Sequence, residues 1–333
     1  MTANTQADPV LDVRDLELTF TAGGRGLKLL DGVSFQVRRG ETLGLVGESG
    51  SGKSMSALSI MGFVGRNRSQ SLAGSIRYQG TELIGLPDKQ YRRLRGNRIA
   101  MVFQEPMTSL DPSFTIGSQI AEGIRLHQGV SRDAAMKRVV EVLDLVRIPS
   151  AAQRLKSYPH EFSGGMRQRV LIAMALANNP EFIIADEPTT ALDVSIQAQI
   201  LELLKTLQAD LGLSLLFITH NMGVVADICD RVAVMYAGQI VEEGHVLDVF
   251  REPRHPYSER LLAAMPRLDA TGDLQWIPGS PPDVDARPHG CRFAPRCHLA
   301  AEECAEPQEL LVIGRGRASR CWRSTSTLPE VAR

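Results

Sequence analysis

Long apolar runs are absent from this sequence, and no stretch reaches the roughly eighteen residues that a membrane-spanning helix needs. The first residues, MTANTQADPV, lack the basic start and apolar stretch of a secretory signal. A net charge of -1 leaves no overall basic field that would attract nucleic acid. We therefore expect a cytosolic protein with no nucleic-acid partner, whose role at a membrane could only be peripheral.

Cysteine is scarce and unevenly distributed along the chain. Of the five cysteines, Cys229 stands alone, and we expect it to be an ordinary buried side chain. The other four crowd the last part of the sequence, at Cys291, Cys297, Cys304 and Cys321. From about Pro253 the composition also shifts toward proline, arginine, cysteine and glycine. We therefore predict one domain over residues 1–252 and a separate C-terminal extension over residues 253–333.

Strand and helix patterns alternate along the first domain. Residues 10–20 alternate polar and apolar side chains, which predicts an edge strand. Residues 32–37 and 41–46 predict a strand pair around a turn at Gly40. Residues 74–78 predict a further strand followed by a turn at Gln79 and Gly80, and residues 232–241 predict a hairpin around Ala237 and Gly238. Three short apolar runs predict parallel strands that are covered on both faces, at residues 99–103, 182–185 and 214–219. Together with the helical patterns between them, they indicate an α/β fold, into which residues 105–163 insert a mostly helical segment.

A glycine-rich segment follows the apolar run at residues 41–46 and leads into a helical pattern. It matches G-x-x-x-x-G-K-[ST] in full, which indicates a phosphate-binding loop rather than a chance glycine-rich turn. Glycines let successive N–H groups point at phosphate oxygens, the lysine reaches the β- and γ-phosphates, and the last hydroxyl can ligate Mg²⁺. The predicted ATP-binding residues are Gly47, Glu48, Ser49, Gly50, Ser51, Gly52, Lys53 and Ser54.

A second acidic element ends the apolar run at residues 182–185. Asp186 at the tip of this strand can hold Mg²⁺, and Glu187 is placed to polarise the attacking water as a general base. A strand that simply ends in charged residues is the plain alternative for this pair taken alone. The upstream phosphate loop makes the catalytic interpretation the stronger one.

Further motifs distinguish this chain from other phosphate-loop proteins. The segment FSGGMRQR at residues 162–169 resembles the signature sequence of ABC ATPases. Gln104 resembles the glutamine of that family's Q-loop, Asp193 its D-loop aspartate and His220 its switch histidine. The resemblance covers about residues 10–245, and it implies a RecA-like core with an antiparallel β subdomain and a helical subdomain.

The family resemblance also implies roles for these residues. Ser163, Gly164 and Gly165 would bind the γ-phosphate of ATP held by an opposing subunit, so that two cassettes enclose two nucleotides. Gln104 would sense Mg²⁺ and link the site to the membrane partner. Asp193 would couple the two sites, and His220 would contact the γ-phosphate and the water.

Three positions bear on how closely the chain follows that family. Phe162 and Met166 stand where the signature usually has leucine and glutamine, and Asn221 replaces the acidic residue that often follows the switch histidine. None of these changes removes a phosphate-contacting group, so activity is still expected. Phe20 is the candidate aromatic for stacking on adenine.

The C-terminal extension narrows the resemblance. Segments at residues 255–257, 278–282 and 290–297 resemble the extension of oligopeptide and dipeptide importer ATPases, and the signature stretch resembles their D-type subunit. This resemblance implies an F-type sister cassette or a second copy, two permease subunits and a periplasmic or extracellular substrate-binding protein. It also implies a place on the cytoplasmic face of the bacterial inner membrane, where the chain would energise peptide import.

The four clustered cysteines suggest a metal site, because thiols stay reduced in the cytosol. They are separated by five, six and sixteen residues, which lacks the tight pairs of zinc ribbons and does not decide between zinc and iron–sulfur. The resemblance favours a structural [4Fe–4S] cluster with all four cysteines as ligands. Inert surface cysteines are the plain alternative.

Other functions stay open at this point. Related ATPases serve importers for nickel, glutathione or other small solutes. A soluble ABC protein of translation or DNA repair would usually carry two cassettes or a long coiled-coil insert, and neither is evident. A regulatory protein with a dead cassette is disfavoured by the presence of Lys53, Asp186, Glu187 and His220. We also expect residues 105–111 and the helical segment to form the groove that receives a permease.

Overall fold

The structure is a computed structural model that describes residues 8–65, 67, 69–104, 109–190, 192–265, 276–314 and 316–326. In chain order the strands are β1 Leu11–Ala22, β2 Arg25–Val37, β3 Thr42–Val46, β4 Gln70–Tyr78, β5 Thr81–Glu82, β6 Ile99–Val102, β7 Phe182–Asp186, β8 Ser214–Thr219, β9 Arg231–Tyr236, β10 Gln239–His245, β11 Leu311–Gly314 and β12 Arg317–Ser319. The α-helices are α1 Lys53–Ile60, α2 Asp88–Leu94, α3 Ile116–Gln128, α4 Arg132–Leu145, α5 Ala151–Arg154, α6 Gly164–Leu176, α7 Val194–Leu211, α8 Met222–Ile228, α9 Val246–Arg251, α10 Pro256–Ala263 and α11 Arg323–Ser326.

The chain divides into two compact units that interleave along the sequence. Of the described residues, the first unit takes 8–10, Arg38–Gly40 and Gly85–Phe217. The second unit takes Leu11–Val37, Glu41–Ile84 and the described residues from Ile218 onward. No described helix combines the length and the apolar character that crossing a membrane would require.

The first unit contains the helical segment and two of the predicted strands. β6 and β7 pair in parallel, with Ile99 opposite Phe182, and all five residues of β7 are buried. Side chains of Thr115 and Ser131 cap the first turns of α3 and α4, and Gly129 ends α3 with a positive φ of 65°. Such polar caps satisfy the N–H groups that a helix leaves without partners at its start.

One sheet of the second unit corrects the predicted edge strand. β1 pairs with β2 on one side and with β4 on the other, in the order β2-β1-β4-β5. Alternation of polar and apolar side chains reports which face of a strand is buried, and it carries no information about neighbours within the sheet. The tight turn at Gln79 and Gly80, both with positive φ, joins β4 to β5 as the sequence predicts.

The other sheet of the second unit corrects the predicted pairing around Gly40. β2 belongs to the first sheet, while β3 pairs in parallel with β9, with Leu43 opposite Arg231. All five residues of β3 are buried, as expected for a parallel strand that is covered on both faces. The turn therefore carries the chain from one sheet to another.

A hairpin and two short C-terminal strands continue this sheet on the β9 side of β3. β9 and β10 form the predicted hairpin around Ala237 and Gly238, and β12 then pairs with β10 and β11 with β12. Strands from the C-terminal region thus extend the sheet to which β3 belongs. The domain boundary near residue 253 stays a prediction.

Candidate active site

The phosphate loop lies between β3 and α1 in the second unit. Gly47 has a φ of 153°, and a Cβ placed on it would lie 2.1 Å from the carbonyl oxygen of Met235. Because this neighbour is backbone, it cannot move aside as a side chain would. Only glycine lets the loop pass this close to β9.

Lys53 is the first residue of α1, and its ammonium group points back into the loop. The side chain is buried, and Nζ donates to the carbonyl oxygens of Gly47 at 2.7 Å and Glu48 at 3.0 Å. No side chain caps the start of α1. A helix start without a side-chain cap, a buried cation and glycine-rich backbone together suit a phosphate group. Ser54 follows in the first turn and is half-buried.

The acidic element closes β7 in the first unit. Asp186 is buried at the strand end, and Glu187 adopts the left-handed region with a φ of 46°. The Oε2 atom of Glu187 accepts hydrogen bonds from Gln104 Nε2 at 3.1 Å and from Thr190 Oγ1 at 2.8 Å. The structure therefore brings together two residues that the sequence assigns to catalysis, although 83 positions separate them.

Thr190 has no role in the sequence-based prediction. Its hydroxyl fixes one oxygen of the Glu187 carboxylate, and its N–H donates to the Glu187 carbonyl oxygen at 3.1 Å. A threonine three residues after the predicted catalytic carboxylate is a local signal that could have indicated this contact, since both groups lie on one turn of chain.

The signature segment starts helix α6 in the first unit. Ser163 is the exposed N-cap residue, and its Oγ accepts from Met166 N at 3.4 Å. Gly164 is exposed, whereas Gly165 is buried with its Cα facing Ile196 of α7. The segment thus presents a helix start to solvent, the arrangement that binds anions in proteins.

The remaining predicted residues have plain structural positions. Asp193 caps α7, where its Oδ1 accepts from Ile196 N at 3.0 Å, and these hydrogen bonds hold the pKa of its carboxyl below the usual value. His220 is exposed directly after β8, and Asn221 caps α8 by accepting from Gly223 N at 3.0 Å. Phe20 is half-buried in β1. Residues 105–108, part of the expected permease groove, lie outside the described residues.

All five cysteines are free thiols. Cys229 is buried against Gly44 as expected, and burial raises the pKa of its thiol. Burial also raises the pKa of the Cys291 thiol to about 11, with a further rise from Cys304 and Cys321 nearby. The Cys291 N–H also donates to the Cys304 carbonyl oxygen at 2.8 Å, so these two cysteines are neighbours in the fold.

The expected [4Fe–4S] site is nevertheless unsupported by the structure. Across the described ranges, no group of three or more His, Cys, Asp or Glu side chains is arranged to hold a metal ion. We therefore assign no step of the chemistry to a cluster.

Comparison with known proteins identifies the chain. Residues 30–190 match the family model described as ABC transporter, and residues 241–304 match the oligopeptide/dipeptide transporter C-terminal region. One relative, named as a peptide import ATP-binding protein of Brucella abortus (strain 2308), is 51% identical over 96% of this chain and 97% of that protein. The chain belongs to the ABC transporter family. A second relative, from Sinorhizobium fredii (strain NBRC 101917 / NGR234), is named as a peptide ABC transporter ATP-binding protein. It is 49% identical over 98% of this chain and 99% of that protein.

Solved structures of ABC transporter cassettes resemble this fold. The dimeric ATP-binding cassette MJ0796, in a post-hydrolysis state with ADP and phosphate, matches with a TM-score of 0.63 and 27% identity over 71% of this chain and 98% of that one. CbiO1 from Clostridium perfringens, part of an ABC transporter complex, matches with a TM-score of 0.62 and 28% identity. The match covers 74% of this chain and 92% of CbiO1. The predicted fold class is confirmed, and the chain is an ABC-type ATPase.

Proposed function

We propose that this ABC ATPase energises the import of di- and oligopeptides. The match of residues 241–304 to the C-terminal region of oligopeptide and dipeptide transporters carries this proposal, because an ATP-binding cassette by itself does not indicate a cargo. The full-length similarity to proteins named as peptide import ATP-binding proteins supports it. Within such a system we propose that the chain is the D-type subunit.

In the first unit, we assign Glu187 as the general base for the attacking water. Its carboxylate is fixed by Gln104 and Thr190, and a fixed carboxylate can take a proton without first reorganising. Asp186 at the buried strand end and the Gln104 amide are the proposed Mg²⁺ ligands from this unit. Bound Mg²⁺ would neutralise charge on the phosphate oxygens.

In the second unit, the loop from Gly47 to Ser54 holds the phosphates through backbone N–H groups and the Lys53 ammonium. Ser54 is the proposed Mg²⁺ ligand from this loop. His220 would contact the γ-phosphate, and Phe20 would stack on adenine. These roles rest on the family motifs and on the loop geometry described above.

The exposed signature segment is the proposed site for a nucleotide held by another cassette. Ser163 and Gly164 are exposed at the start of α6, with the buried Gly165 next to them, and an exposed helix start suits a phosphate presented from outside the chain. Asp193 would couple the two sites. The proposed partner is an F-type sister cassette or a second copy of this chain.

A groove in the helical segment is the proposed docking site for a permease subunit. Its volume is about 640 Å³, and its lining includes Asp111, Glu122 and Arg125 beside Phe114, a residue that is 57% exposed. An exposed aromatic at a rimmed groove is typical of a protein contact. We place one of the two permease subunits here, with a periplasmic or extracellular binding protein beyond the permeases and the chain at the cytoplasmic face of the inner membrane.

The metal content of the extension is also open to experiment. We propose a [4Fe–4S] cluster on the four clustered cysteines, since the matched C-terminal region contains three of them and the main chain of Cys291 is hydrogen-bonded to that of Cys304. Chains purified anaerobically should be brown and should contain iron and sulfide. Zinc, or no metal at all, would contradict the proposal.

The function is tested with the chain assembled with its sister cassette, permeases and binding protein in vesicles. Di- and oligopeptides should stimulate ATP hydrolysis and accumulate inside. Glu187→Gln should retain ATP binding and lose about 100-fold or more in turnover, because a general base is worth about that much. Glu202→Gln, on the exposed face of α7, is the matched control.

Two results would contradict these proposals separately. Normal turnover in Glu187→Gln would remove this residue as the base. Stimulation by nickel or glutathione with no response to peptides would overturn the cargo and leave the ATPase assignment intact.

A further inference from the structure

Two residues of the C-terminal extension bind Glu48, the second residue of the phosphate loop. Arg296 binds the Glu48 carboxylate with both arms of its guanidinium group, Nη1 to Oε2 at 2.7 Å and Nη2 to Oε1 at 3.0 Å. The hydroxyl oxygen of Tyr257, on α10, accepts a hydrogen bond from the Glu48 N–H at 2.9 Å. Side chain and backbone of Glu48 are therefore both held by residues beyond position 253, all within the second unit.

Arg296 is itself fixed in place before it reaches the loop. Its Nε donates to the carbonyl oxygen of Pro278 at 2.8 Å, and its Nη1 lies 3.3 Å from the Tyr236 hydroxyl. Its side chain is 5% exposed, against 27% for Glu48. A bidentate, largely desolvated ion pair is much stronger than a surface salt bridge, which water screens and side-chain motion weakens.

Packed aromatic rings hold the segment that carries Arg296 in place. The rings of Tyr236 and Tyr257 have centroids 4.6 Å apart, and Phe293 lies 5.3 Å from each of them. All three side chains are buried. Phe293 and Arg296 lie on one short turn of the extension, so the rings hold that turn against β9 and α10.

The position of Glu48 affects the nucleotide site through its main chain. Its carbonyl oxygen accepts from Lys53 Nζ at 3.0 Å and from Ser51 N at 3.2 Å. A shift of Glu48 would therefore move two groups of the loop. The Arg296 guanidinium group binds the Glu48 carboxylate and not the loop backbone. It therefore does not occupy the backbone N–H groups that would bind phosphate.

We propose that Arg296 is a positioning residue, through which the extension holds the phosphate loop in its ATP-binding conformation. The extension then contributes to ATP affinity without touching the nucleotide. This goes beyond the transport role, and it holds whatever the cargo is and whether or not the cysteines carry a metal.

The test measures ADP binding by calorimetry, and KM and kcat for ATP, in the full chain. Arg296→Ala should raise the dissociation constant and KM about tenfold, with kcat within about twofold, as expected for loss of one preorganised charged contact. Glu48→Gln, which removes the charge that Arg296 binds, should raise the dissociation constant and KM by a similar factor, and in the double variant neither should exceed the larger single-variant value. Arg296→Lys, which keeps the charge but loses the fork, should recover part of the affinity.

Arg287→Ala is the matched control. Arg287 also ties the extension to the rest of the unit, through its Nη1 to the Lys28 carbonyl oxygen at 2.5 Å, but it does not touch Glu48. It should lower stability and leave KM within about twofold. If Arg296→Ala fails to fold, Glu48→Gln carries the test, since it leaves the extension intact. Unchanged KM in Glu48→Gln, additive losses in the double variant, or an equal rise of KM in Arg287→Ala would each overturn the proposal.

Discussion

The buried glycine of the signature segment offers a sharp test of why that position needs glycine. A Cβ at Gly165 would lie 2.5 Å from Cγ2 of Ile196, on the neighbouring helix α7. At Gly164, the preceding residue, the nearest atom would be Leu192 Cδ2 at 3.7 Å, an ordinary contact distance. A side chain at Gly165 would therefore clash, whereas one at Gly164 would not. Gly164 serves as the control for Gly165.

The expected energies follow from this geometry. Carbon atoms pack at about 3.5–4.0 Å, so Gly165→Ala brings two carbons about 1 Å too close. Overpacking of this kind costs about 1–3 kcal/mol, while replacing a helical glycine by alanine gains up to about 1 kcal/mol. We expect Gly165→Ala to lower the free energy of unfolding by about 1–2 kcal/mol. In an Ile196→Ala background the clashing atom is gone, and the same change should stabilise by up to about 1 kcal/mol.

Urea denaturation of the two single variants and the double variant checks this coupling, with Gly164→Ala expected to be neutral or slightly stabilising. ATPase activity then separates packing from nucleotide contact. If packing alone requires glycine, Ile196→Ala rescues both stability and turnover in Gly165→Ala. If the phosphate of an opposing nucleotide needs the space, stability recovers and turnover does not. A loss of stability by Gly165→Ala that is equally large in both backgrounds would refute the reasoning.

Three further predictions follow from single contacts. Gly47→Ala places a Cβ within 2.1 Å of the Met235 carbonyl oxygen and should abolish ATP binding in calorimetry. Gly50 has a φ of 76° and nothing within 4 Å of an added Cβ, so Gly50→Ala should lower the free energy of unfolding by only about 1 kcal/mol and keep ATP binding measurable. Burial lowers the pKa of His255 to about 3 from 6.5, so the folded protein keeps the ring neutral while the unfolded chain takes up a proton. Stability should therefore fall by about 1.4 kcal/mol per pH unit from about pH 6 to pH 4, and His255→Asn, which can still cap its helix, should remove that slope in urea titrations. Asn221→Ala should cost about 1 kcal/mol in thermal melts through loss of the α8 cap, and Asn221→Asp should cost nothing; the cap assignment is wrong if the alanine variant melts as the parent does.

Local motifs could be predicted because neighbouring residues determine them. The strand, glycine loop and helix around Lys53 follow one another directly, and each has its own residue pattern. The same holds for the tight turn at Gln79 and the hairpin turn at Ala237, where the structure has positive φ. The apolar run at residues 214–219 matches β8 at both ends, since a buried strand is a continuous run.

Neighbours within a sheet could not be predicted in the same way. The pattern of β1 indicates a half-buried strand, but a central strand and an edge strand share that pattern when one face is buried. The turn at Gly40 has the residues of a hairpin, yet β3 leaves it to pair with β9, which starts about 190 residues later in the chain. Such pairings depend on distant segments that a local pattern does not contain.

The same limit separates the predicted nucleotide residues from the residues that support them. Lys53 and Glu187 stand out because phosphate chemistry requires those residue types in their motifs. Phosphate chemistry does not require an arginine at position 296, and 248 positions separate Arg296 from Glu48. Among the arginines of the C-terminal extension nothing in the sequence marks it. What distinguishes it is a set of hydrogen bonds that joins it to Pro278, Tyr236 and the phosphate loop, and these contacts exist only once the chain has folded. Residues that control a site from a distance are therefore found by following hydrogen bonds outward from the motif, and here that path leads into the extension that the cargo assignment also rests on.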